Sequence, residues 1–318
     1  MNTLILESNE YSNEALSSYR SLGNVFCLEG PLHDFSESDA EAISILVIRL
    51  KYRMDRALLN RFPNLKFIVS PTTGLDHIDL PLVQQRGIKV ISLKGETAYL
   101  DRIVATAELT WGLILALNRK IPQAHADVLK ARWNRDPFVG FDLRGKVLGI
   151  LGFGRLGRQI AGYGKAFGMQ VMVHDIAPIL STDPIISVVS RDEVLRDADV
   201  LTLHLPLDST TERSLTRECL RKMKPSAILI NTSRGAIVDE QALLAALQEN
   251  TIRGAALDVL ADELRFDESS LKTHPLLQYA RSHSNLILTP HIGGASADAM
   301  RQTEVFVAQK LLHCLNEC

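Results

Sequence analysis

Three glycines between a strand pattern and a helix pattern constrain the fold of this chain more than any other feature. Residues 146–151 have the apolar pattern of a buried strand. They lead directly into Gly152, Gly154 and Gly157 of a GxGxxG turn, and a helical pattern follows at residues 158–167. In this order the first glycine permits a tight turn, the second lets the backbone approach a pyrophosphate, and the third lets helix and strand pack closely. Because the helix also offers unpaired N–H groups, the turn predicts a dinucleotide-binding site.

A carboxylate at the end of the next strand pattern indicates which dinucleotide is bound. Residues 170–174 form that pattern, and Asp175 ends it. A carboxylate here can accept hydrogen bonds from both ribose hydroxyls of the adenosine, and it repels a 2′-phosphate. Ile176 and Ala177 bring no positive charge that would offset this repulsion. We therefore predict NAD rather than NADP, with a simple strand-end cap as the alternative role of Asp175.

Strand and helix patterns alternate along the rest of the chain. Helical patterns such as residues 53–61 and 80–86 separate the strands, and residues 103–117 predict a longer helix that is buried between domains because it lacks a wide polar face. Such alternation is typical of parallel α/β sheets, and 318 residues are enough for about two domains. The strand patterns are residues 3–7, 43–48, 65–69, 88–91, 146–151, 170–174, 199–203, 227–231, 255–258 and 286–288.

The composition argues against several classes of protein. Hydrophobic residues make up 46% of the chain and charged residues 23%, which excludes a disordered protein. The formal net charge of −2 disfavours a general nucleic-acid binder. No apolar run approaches the ~18 residues of a membrane helix, and the first ten residues lack the basic start of a signal peptide. The four cysteines are scattered and form no CxxC pair, so we expect a cytoplasmic protein without a disulfide framework or a bound metal.

Three polar side chains that follow buried strand patterns suggest a catalytic group. They are Arg234, Glu263 and His291, and ligands of open α/β sheets bind at the carboxyl ends of the strands. Arginine can hold a carboxylate through two parallel hydrogen bonds, and histidine can exchange a proton with a hydroxyl as hydride moves at the same carbon. Glutamate can bond the second imidazole nitrogen and fix its tautomer. Taken singly, each residue type also occurs as a surface ion pair, a solvated acid or a structural histidine.

Several longer segments resemble one family. In these motifs the chain is similar to the D-isomer-specific 2-hydroxyacid dehydrogenases, and among them to the phosphoglycerate dehydrogenase branch, over nearly its whole length. The order and spacing of the motifs are highly specific. The segments are SPTTGLDHID (70–79), ATAELTWGLILAL (105–117), GFGRLG (152–157), LHLPL (203–207), NTSRGAIVDE (231–240), GAALDV (254–259) and PHIGG (290–294).

The resemblance implies a role for each matched residue. It implies that Arg234 binds the substrate carboxylate, that His291 is the acid/base, and that Glu263 supports the imidazole. Asp258 would lie near the nicotinamide amide. The implied substrate contacts are Thr72, Thr73, Gly74, Arg234 and His291. The implied cofactor contacts are Thr73, Gly152, Gly154, Arg155, Leu156, Gly157, Asp175, Leu205, Thr232, Ser233, Asp258 and Gly293.

The resemblance also implies an architecture. We expect an α/β protein of two similar, doubly wound parallel-sheet domains. A flavodoxin-like substrate domain would comprise residues 1–100 plus 289–318, and a Rossmann NAD-binding domain would comprise residues 101–288. Family members usually dimerise through the cofactor domain, so residues 120–144 would supply part of a homodimer contact.

The chain departs from the family at several positions. Leu264 stands where the family commonly has proline after the glutamate, which puts the shape of that loop in doubt. Ser70 stands where some phosphoglycerate dehydrogenases carry an arginine that faces a phosphate. Formate dehydrogenases of the wider family have glutamine in place of Glu263, which argues against that activity. The sequence ends at residue 318, so we expect none of the regulatory domains that many phosphoglycerate dehydrogenases carry.

A cluster of cations predicts where a second charged group of the substrate would bind. Arg49, Lys51 and Arg53 follow the strand pattern at residues 43–48, on the ligand side of the sheet. We predict that Arg49 faces the substrate and holds a polar or dianionic tail, whereas Lys51 and Arg53 can equally be solvated. Because Ser70 removes one expected cation, 3-phosphoglycerate is only one candidate substrate.

Together these observations predict an NAD-dependent oxidoreductase that transfers a hydride between the nicotinamide and a small D-2-hydroxy acid or 2-keto acid. Its partners would be that acid and a second copy of the chain, with neither nucleic acid nor membrane. The alternative is an NAD(H)-sensing binding protein of the corepressor type on the same scaffold. A methyltransferase is a weaker third possibility because it would leave Arg234, Glu263 and His291 unexplained.

Overall fold

The protein divides into two compact units, each with one parallel sheet. The computed structural model describes residues 1–179 and 183–316. One unit is Met1–Ile103 together with the chain from Ala295 onward, and the other is Val104–Gly294. The segment at residues 289–294, which contains His291, therefore groups with the second unit.

The first unit contains a five-stranded sheet whose strands are all parallel. Its strands are β1 (Thr3–Ile5), β2 (Val25–Cys27), β3 (Ile45–Val47), β4 (Phe67–Ser70) and β5 (Lys89–Ser92). Their order is β2-β1-β3-β4-β5, which is the flavodoxin-like order. Leu4, Leu46 and Ile68 are fully buried in the central strands, and burial on both faces explains why those strands are continuous apolar runs.

Helices cover this sheet and begin at side chains that cap them. Ser12, Asp55 and Asp79 each accept a backbone N–H from the first turn of the helix that follows, which satisfies a donor that the helix itself leaves unpaired. The long last helix packs against the first one. The helices are α1 (Asn13–Arg20), α2 (Glu37–Ala42), α3 (Arg56–Asn60), α4 (Leu80–Gln85), α5 (Thr97–Leu100) and, at the end of the described chain, α14 (Ala297–Asn316).

The second unit contains a seven-stranded parallel sheet. Its strands are β6 (Val147–Leu151), β7 (Gln170–His174), β8 (Ile186–Val188), β9 (Val200–Leu203), β10 (Ile228–Asn231), β11 (Gly254–Leu257) and β12 (Leu286–Leu288). They lie in the order β8-β7-β6-β9-β10-β11-β12. This is the Rossmann order with one further strand, and it reverses direction between β6 and β9. The predicted fold class, two doubly wound parallel-sheet domains, is confirmed.

The helices of the second unit include the long apolar one that the sequence predicts. This helix packs on β10, β11 and β12, and Ala107 and Ile114 on it are fully buried, so its apolar residues are used inside the unit. The helices are α6 (Ala105–Asn118), α7 (Ile121–Val128), α8 (Arg155–Ala166), α9 (Arg191–Asp197), α10 (Arg217–Lys222), α11 (Glu240–Gln248), α12 (Glu268–Thr273) and α13 (Pro275–Ala280).

The sequence patterns miss two strands, β2 and β8. Each has three residues, lies at the edge of its sheet, and is only partly buried. A short, half-exposed edge strand has no long apolar run, so it lacks the pattern that reveals the central strands. Across the described residues, no helix is both long enough and apolar enough to cross a bilayer.

Candidate active site

The ends of β10, β11 and β12 bring three of the sequence-predicted residues to one edge of the second sheet. The strands pair in parallel, with Asn231 beside Leu257 and Leu257 beside Leu288. Arg234, Asp258 and His291 follow these three strands directly. The carboxyl edge of a parallel sheet is where ligands bind in such folds.

His291 and Glu263 form a direct pair at this edge. The Nδ1 atom of His291 lies 2.5 Å from Oε1 of Glu263, and the backbone N–H of Leu260 donates to the other carboxylate oxygen at 3.2 Å. About a quarter of each side chain is exposed. Because the carboxylate accepts the Nδ1 proton, it leaves Nε2 of His291 as the atom that can exchange a proton with a ligand.

The backbone of His291 is held in an uncommon conformation. Its φ of 54° lies in the left-handed region, which residues other than glycine seldom adopt. The N–H of His291 donates to the carbonyl oxygens of Asp258, at 2.8 Å, and Thr289, at 3.0 Å. These two bonds hold the turn that aims the imidazole at Glu263.

Asp258 is a buried carboxylate that organises the same turn. Only 1% of the residue is exposed, and it accepts the Thr289 hydroxyl at 2.6 Å and the N–H groups of Ile292 and Gly293 at 2.9 and 2.7 Å. Burial raises the pKa of this carboxyl, and the three hydrogen bonds oppose that rise. Asp258 thus positions His291 through the backbone. The sequence motif implies only a contact with the nicotinamide amide for this residue.

Arg234 lies on a turn that Asn231 builds. The Asn231 amide donates to the Arg234 carbonyl at 2.9 Å, and its oxygen accepts the N–H and the hydroxyl of Ser233 at 3.0 and 2.8 Å. A Cβ on Gly235 would lie 2.0 Å from the carbonyl carbon of Leu260, so only glycine allows this approach. The Arg234 turn therefore packs against the backbone that leads to Glu263.

The loop after β11 takes a shape of its own. Asp262 adopts a left-handed φ of 55°, and a single 3-10 turn, Glu263–Arg265, follows it. Leu264, which replaces the proline common in similar sequences, is part of this turn. The substitution thus leaves Glu263 in contact with His291.

The glycine turn has the geometry that its sequence predicts. Gly152 has a φ of +92°, and a Cβ there would lie 2.3 Å from the carbonyl oxygen of His204. A Cβ on Gly157 would lie 2.2 Å from the carbonyl oxygen of Gly152, so helix α8 packs closely on the turn. A Cβ on Gly154 would meet no described heavy atom within 4 Å. The open side at Gly154 and the amino end of α8, with Arg155 and Leu156 in its first turn, suit a pyrophosphate.

Asp175 connects the end of β7 to the glycine turn. Its carboxylate accepts the N–H of Phe153 at 2.6 Å and that of Ala177 at 2.9 Å. Each contact uses one of the two carboxylate oxygens, which leaves further lone pairs for ribose hydroxyls. The cap and the ribose contact are therefore compatible roles of this side chain.

Other predicted cofactor contacts lie at the same edge. The hydroxyl of Thr232 lies 2.8 Å from that of Thr110 on helix α6, so it is engaged inside the unit. Leu205 comes within 3.1 Å of the Cβ position of Gly152. A Cβ on Gly293 would lie 3.1 Å from the Asp258 carboxylate, which favours glycine there.

His204 is a candidate that the sequence reasoning missed. It follows β9 within the LHLPL segment, in which the motif implies a cofactor contact for Leu205 only. Both of its ring nitrogens are buried and have no hydrogen-bond partner among the described residues. Burial lowers the pKa of His204 to about 4, so the ring is neutral and offers one donor and one acceptor. These two nitrogens lie beside the glycine turn, where a bound ligand can hydrogen-bond to them.

The loop at residues 70–74 in the first unit has its own hydrogen-bond network. The hydroxyl of Ser70 lies 2.8 Å from that of Thr72, which donates to the Gly74 carbonyl at 2.9 Å. Nε2 of buried His77 lies 3.4 Å from the Ser70 hydroxyl. The backbone N–H groups of Thr72, Thr73 and Gly74 have no acceptor among the described residues. Consecutive unpaired N–H groups of this kind can hold an anion.

Arg49 has an internal partner. Its guanidinium forms an ion pair with Glu304 of helix α14, which is only 1% exposed. The guanidinium also lies 5.2 Å from the centroid of the Tyr11 ring. The sequence predicts that Arg49 faces a substrate tail, and such a contact would require this ion pair to open.

Comparison with known proteins agrees with this geometry. Residues 111–293 match the model of the "D-isomer specific 2-hydroxyacid dehydrogenase, NAD binding domain". This chain belongs to the D-isomer specific 2-hydroxyacid dehydrogenase family. The resemblance of the sequence motifs to that family is thereby confirmed, and the second unit contains the family's NAD-binding domain.

Individual relatives span several activities. The chain is 36% identical over 313 residues to the D-3-phosphoglycerate dehydrogenase of Bacillus subtilis, which covers 97% of this chain and 56% of that protein. It is 36% identical over 279 residues to the glyoxylate reductase of Thermococcus litoralis, covering 85% and 80% of the two chains. The D-lactate dehydrogenase of Aquifex aeolicus, solved with NAD and lactic acid, superposes with a TM-score of 0.85 at 26% identity, over 100% and 96% of the chains. The chain spans little more than half the length of the phosphoglycerate dehydrogenases that it matches.

Proposed function

We propose that this protein is an NAD-dependent oxidoreductase that interconverts a small 2-keto acid and the corresponding D-2-hydroxy acid. The observation that carries the proposal is the Glu263–His291 pair at the carboxyl edge of an NAD-binding sheet. A histidine with one nitrogen tied to a carboxylate is built to exchange a proton through the other nitrogen. Membership of the family supports the same chemistry.

In the direction of reduction, Nε2 of His291 gives its proton to the carbonyl oxygen of the keto acid. Bound NADH would supply the hydride to the carbon of the same group, so that the carbonyl would become a hydroxyl. Glu263 stabilises the imidazolium before the transfer, since its carboxylate lies 2.5 Å from Nδ1. In the direction of oxidation, neutral His291 takes the hydroxyl proton.

Each unit offers a group that can hold a carboxylate. Arg234 can bind it through parallel N–H bonds, which fixes the orientation of the acid. The unpaired N–H groups of Thr72, Thr73 and Gly74 can bind an anionic oxygen in the same way as a nest of backbone donors. We propose on this basis that the first unit, predicted as residues 1–100 and 289–318, serves as the substrate domain, and that the second unit, Val104–Gly294, serves as the cofactor domain.

The second unit fits NAD at three places. The open side of Gly154 accepts a pyrophosphate, and the free lone pairs of Asp175 accept ribose hydroxyls. The neutral ring of His204 has a donor and an acceptor without partners among the described residues. A 2′-phosphate near Asp175 would meet its negative charge, which favours NAD over NADP.

We also propose that the protein is a cytoplasmic homodimer that contacts its copy through the cofactor domain. Residues 120–144 expose several large apolar side chains, and contact between such an apolar surface and water is unfavourable. Trp133 is 91% exposed, Leu129 74% and Val139 69%, which is unusual for large apolar side chains. A second copy of this chain is the partner that would bury them.

The test is a panel of 2-keto acids with NADH and with NADPH as reductant, monitored by loss of the reduced nicotinamide. We expect turnover with NADH that His291→Asn lowers by about 10²–10⁴-fold while NADH binding is kept. Binding of NADH without turnover of any keto acid would instead favour the NAD(H)-sensing alternative.

A further inference from the structure

Glu7 lies at the carboxyl edge of the first sheet, where it occupies an anion site made by the backbone. It follows β1, and its carboxylate accepts the N–H of Arg49 at 2.5 Å and the N–H of Lys51 at 3.0 Å. We call these two N–H groups the β3 cradle, because they belong to the loop after β3. Paired backbone N–H groups of this kind bind anions, and here the anion is the chain's own side chain.

The guanidinium of Arg49, in the same loop, also has a partner. Arg49 is paired with Glu304, and its Nη1 donates to the carbonyl of Asn9 at 3.4 Å. The second oxygen of Glu304 accepts the N–H of Ser12 at 2.8 Å, which ties the carboxylate to the start of helix α1. Because Glu304 is buried, leaving it without Arg49 would strand an uncompensated charge. The guanidinium is therefore costly to release to a ligand.

The β3 cradle lies beside the loop at residues 70–74. Strand β3 pairs in parallel with β4, with Val47 beside Val69, so the loops that follow both strands leave the same edge of the sheet. The loop after β4 carries the unpaired N–H groups of Thr72, Thr73 and Gly74. An anion bound to these N–H groups would therefore lie near the negatively charged carboxylate of Glu7, which fills the adjacent β3 cradle.

We propose that Glu7 is a specificity-determining residue that fills the β3 cradle and selects 2-keto acids with an uncharged tail. A substrate with a distal phosphate or second carboxylate finds the N–H groups taken and a negative charge in their place. This inference rests on the proposed function and narrows its substrate class. Lys51 and Arg53 are exposed cations near the cradle, but exposed charges attract an anion only weakly through water.

The experiment compares hydroxypyruvate with 3-phosphohydroxypyruvate, which differ only in the phosphate. The quantity is the ratio of kcat/KM, phosphorylated over plain, measured with NADH. Glu7→Ser vacates the cradle, Glu7→Gln keeps it filled without the charge, and Glu10→Gln removes an exposed carboxylate three residues away as a control. We expect a wild-type ratio below one, a rise of about tenfold or more in Glu7→Ser, a smaller rise in Glu7→Gln, and no change in Glu10→Gln.

Several results would overturn the inference. Wild-type protein that prefers the phosphorylated acid would contradict the inference before any variant is made. A kcat/KM ratio in folded Glu7→Ser that equals the wild-type ratio would also contradict it. If Glu7→Ser does not fold, an unchanged kcat/KM ratio in Glu7→Gln decides against the inference.

Binding of inorganic phosphate separates this inference from the proposed function. Calorimetry should detect one more bound phosphate, or tighter phosphate binding, in Glu7→Ser than in the wild type under the same conditions. If the wild type reduces neither acid, the proposed function fails, whereas phosphate binding to folded Glu7→Ser that equals that of the wild type rejects the cradle as an anion site independently of turnover.

Discussion

Replacing Glu263 by glutamine separates the charge of this side chain from its hydrogen bond. A glutamine oxygen can still accept the Nδ1 proton of His291, so the ring keeps its orientation. The lost interaction is the attraction between carboxylate and imidazolium. At about 4 Å between charge centres it is worth roughly 1–4 kcal/mol, depending on the effective dielectric constant. Both side chains are about a quarter exposed, which places the value near the lower end.

That energy converts into a loss of turnover in the direction of oxidation. There the ring of His291 gains a positive charge as it takes the hydroxyl proton, and the variant stabilises that charge less. Since about 1.36 kcal/mol corresponds to a tenfold change in rate, we expect kcat for oxidation of the hydroxy acid to fall by about tenfold in Glu263→Gln.

The assay is kcat for oxidation of the hydroxy acid with NAD, with Glu268→Gln as a matched control. Glu268 is an exposed carboxylate on α12 that pairs with Lys272, so its loss should leave kcat unchanged. A folded Glu263→Gln whose kcat equals that of the wild type would refute the coupling between the pair.

Three further predictions concern cofactor binding and assembly. Gly154→Ala should keep the melting temperature and weaken NADH binding. Gly157→Ala should instead lower the melting temperature, because its Cβ would lie 2.2 Å from a carbonyl oxygen and such overpacking costs about 1–3 kcal/mol. Calorimetry with NADH and thermal unfolding of both variants check these expectations. Asp175→Ala should weaken NADH binding and raise kcat/KM with NADPH relative to NADH, and a wild type that uses both cofactors equally would contradict the role given to Asp175. Trp133→Glu should shift the sedimentation coefficient from that of a dimer towards that of a monomer, and an unchanged dimer would place the contact elsewhere.

The sequence predicts those parts of the site in which local pattern and position agree. The glycine turn is one, because each glycine of residues 152–157 has a separate steric reason that follows from the strand–turn–helix order. The resemblance to the family implies the pairing of Glu263 with His291, and the structure places the two side chains in contact. The glycine turn depends on the central strand β6, whose apolar run is visible in the sequence, and the pair depends on β11 and on the edge strand β12.

Contacts between distant segments could not be predicted in this way. Arg49 and Glu304 are 255 residues apart, and no periodic pattern relates a helix near the end of the chain to a loop near its start. Asp258 matches a motif, yet its three hydrogen bonds to the turn at residues 289–293 emerge only when β11 and β12 pair. The edge strands β2 and β8 lack a pattern because they bury too little surface.

Placement at the ligand edge is therefore necessary for a binding role but does not establish one. Arg49 lies at that edge and is used by Glu304, and the N–H groups of the β3 cradle lie there and are used by Glu7. By contrast, the nitrogens of His204 and the N–H groups of Thr72, Thr73 and Gly74 find no partner among the described residues. Because they lie at the ligand edge and lack partners among the described residues, these groups are better candidates for ligand contacts than the guanidinium of Arg49 or the N–H groups of the β3 cradle.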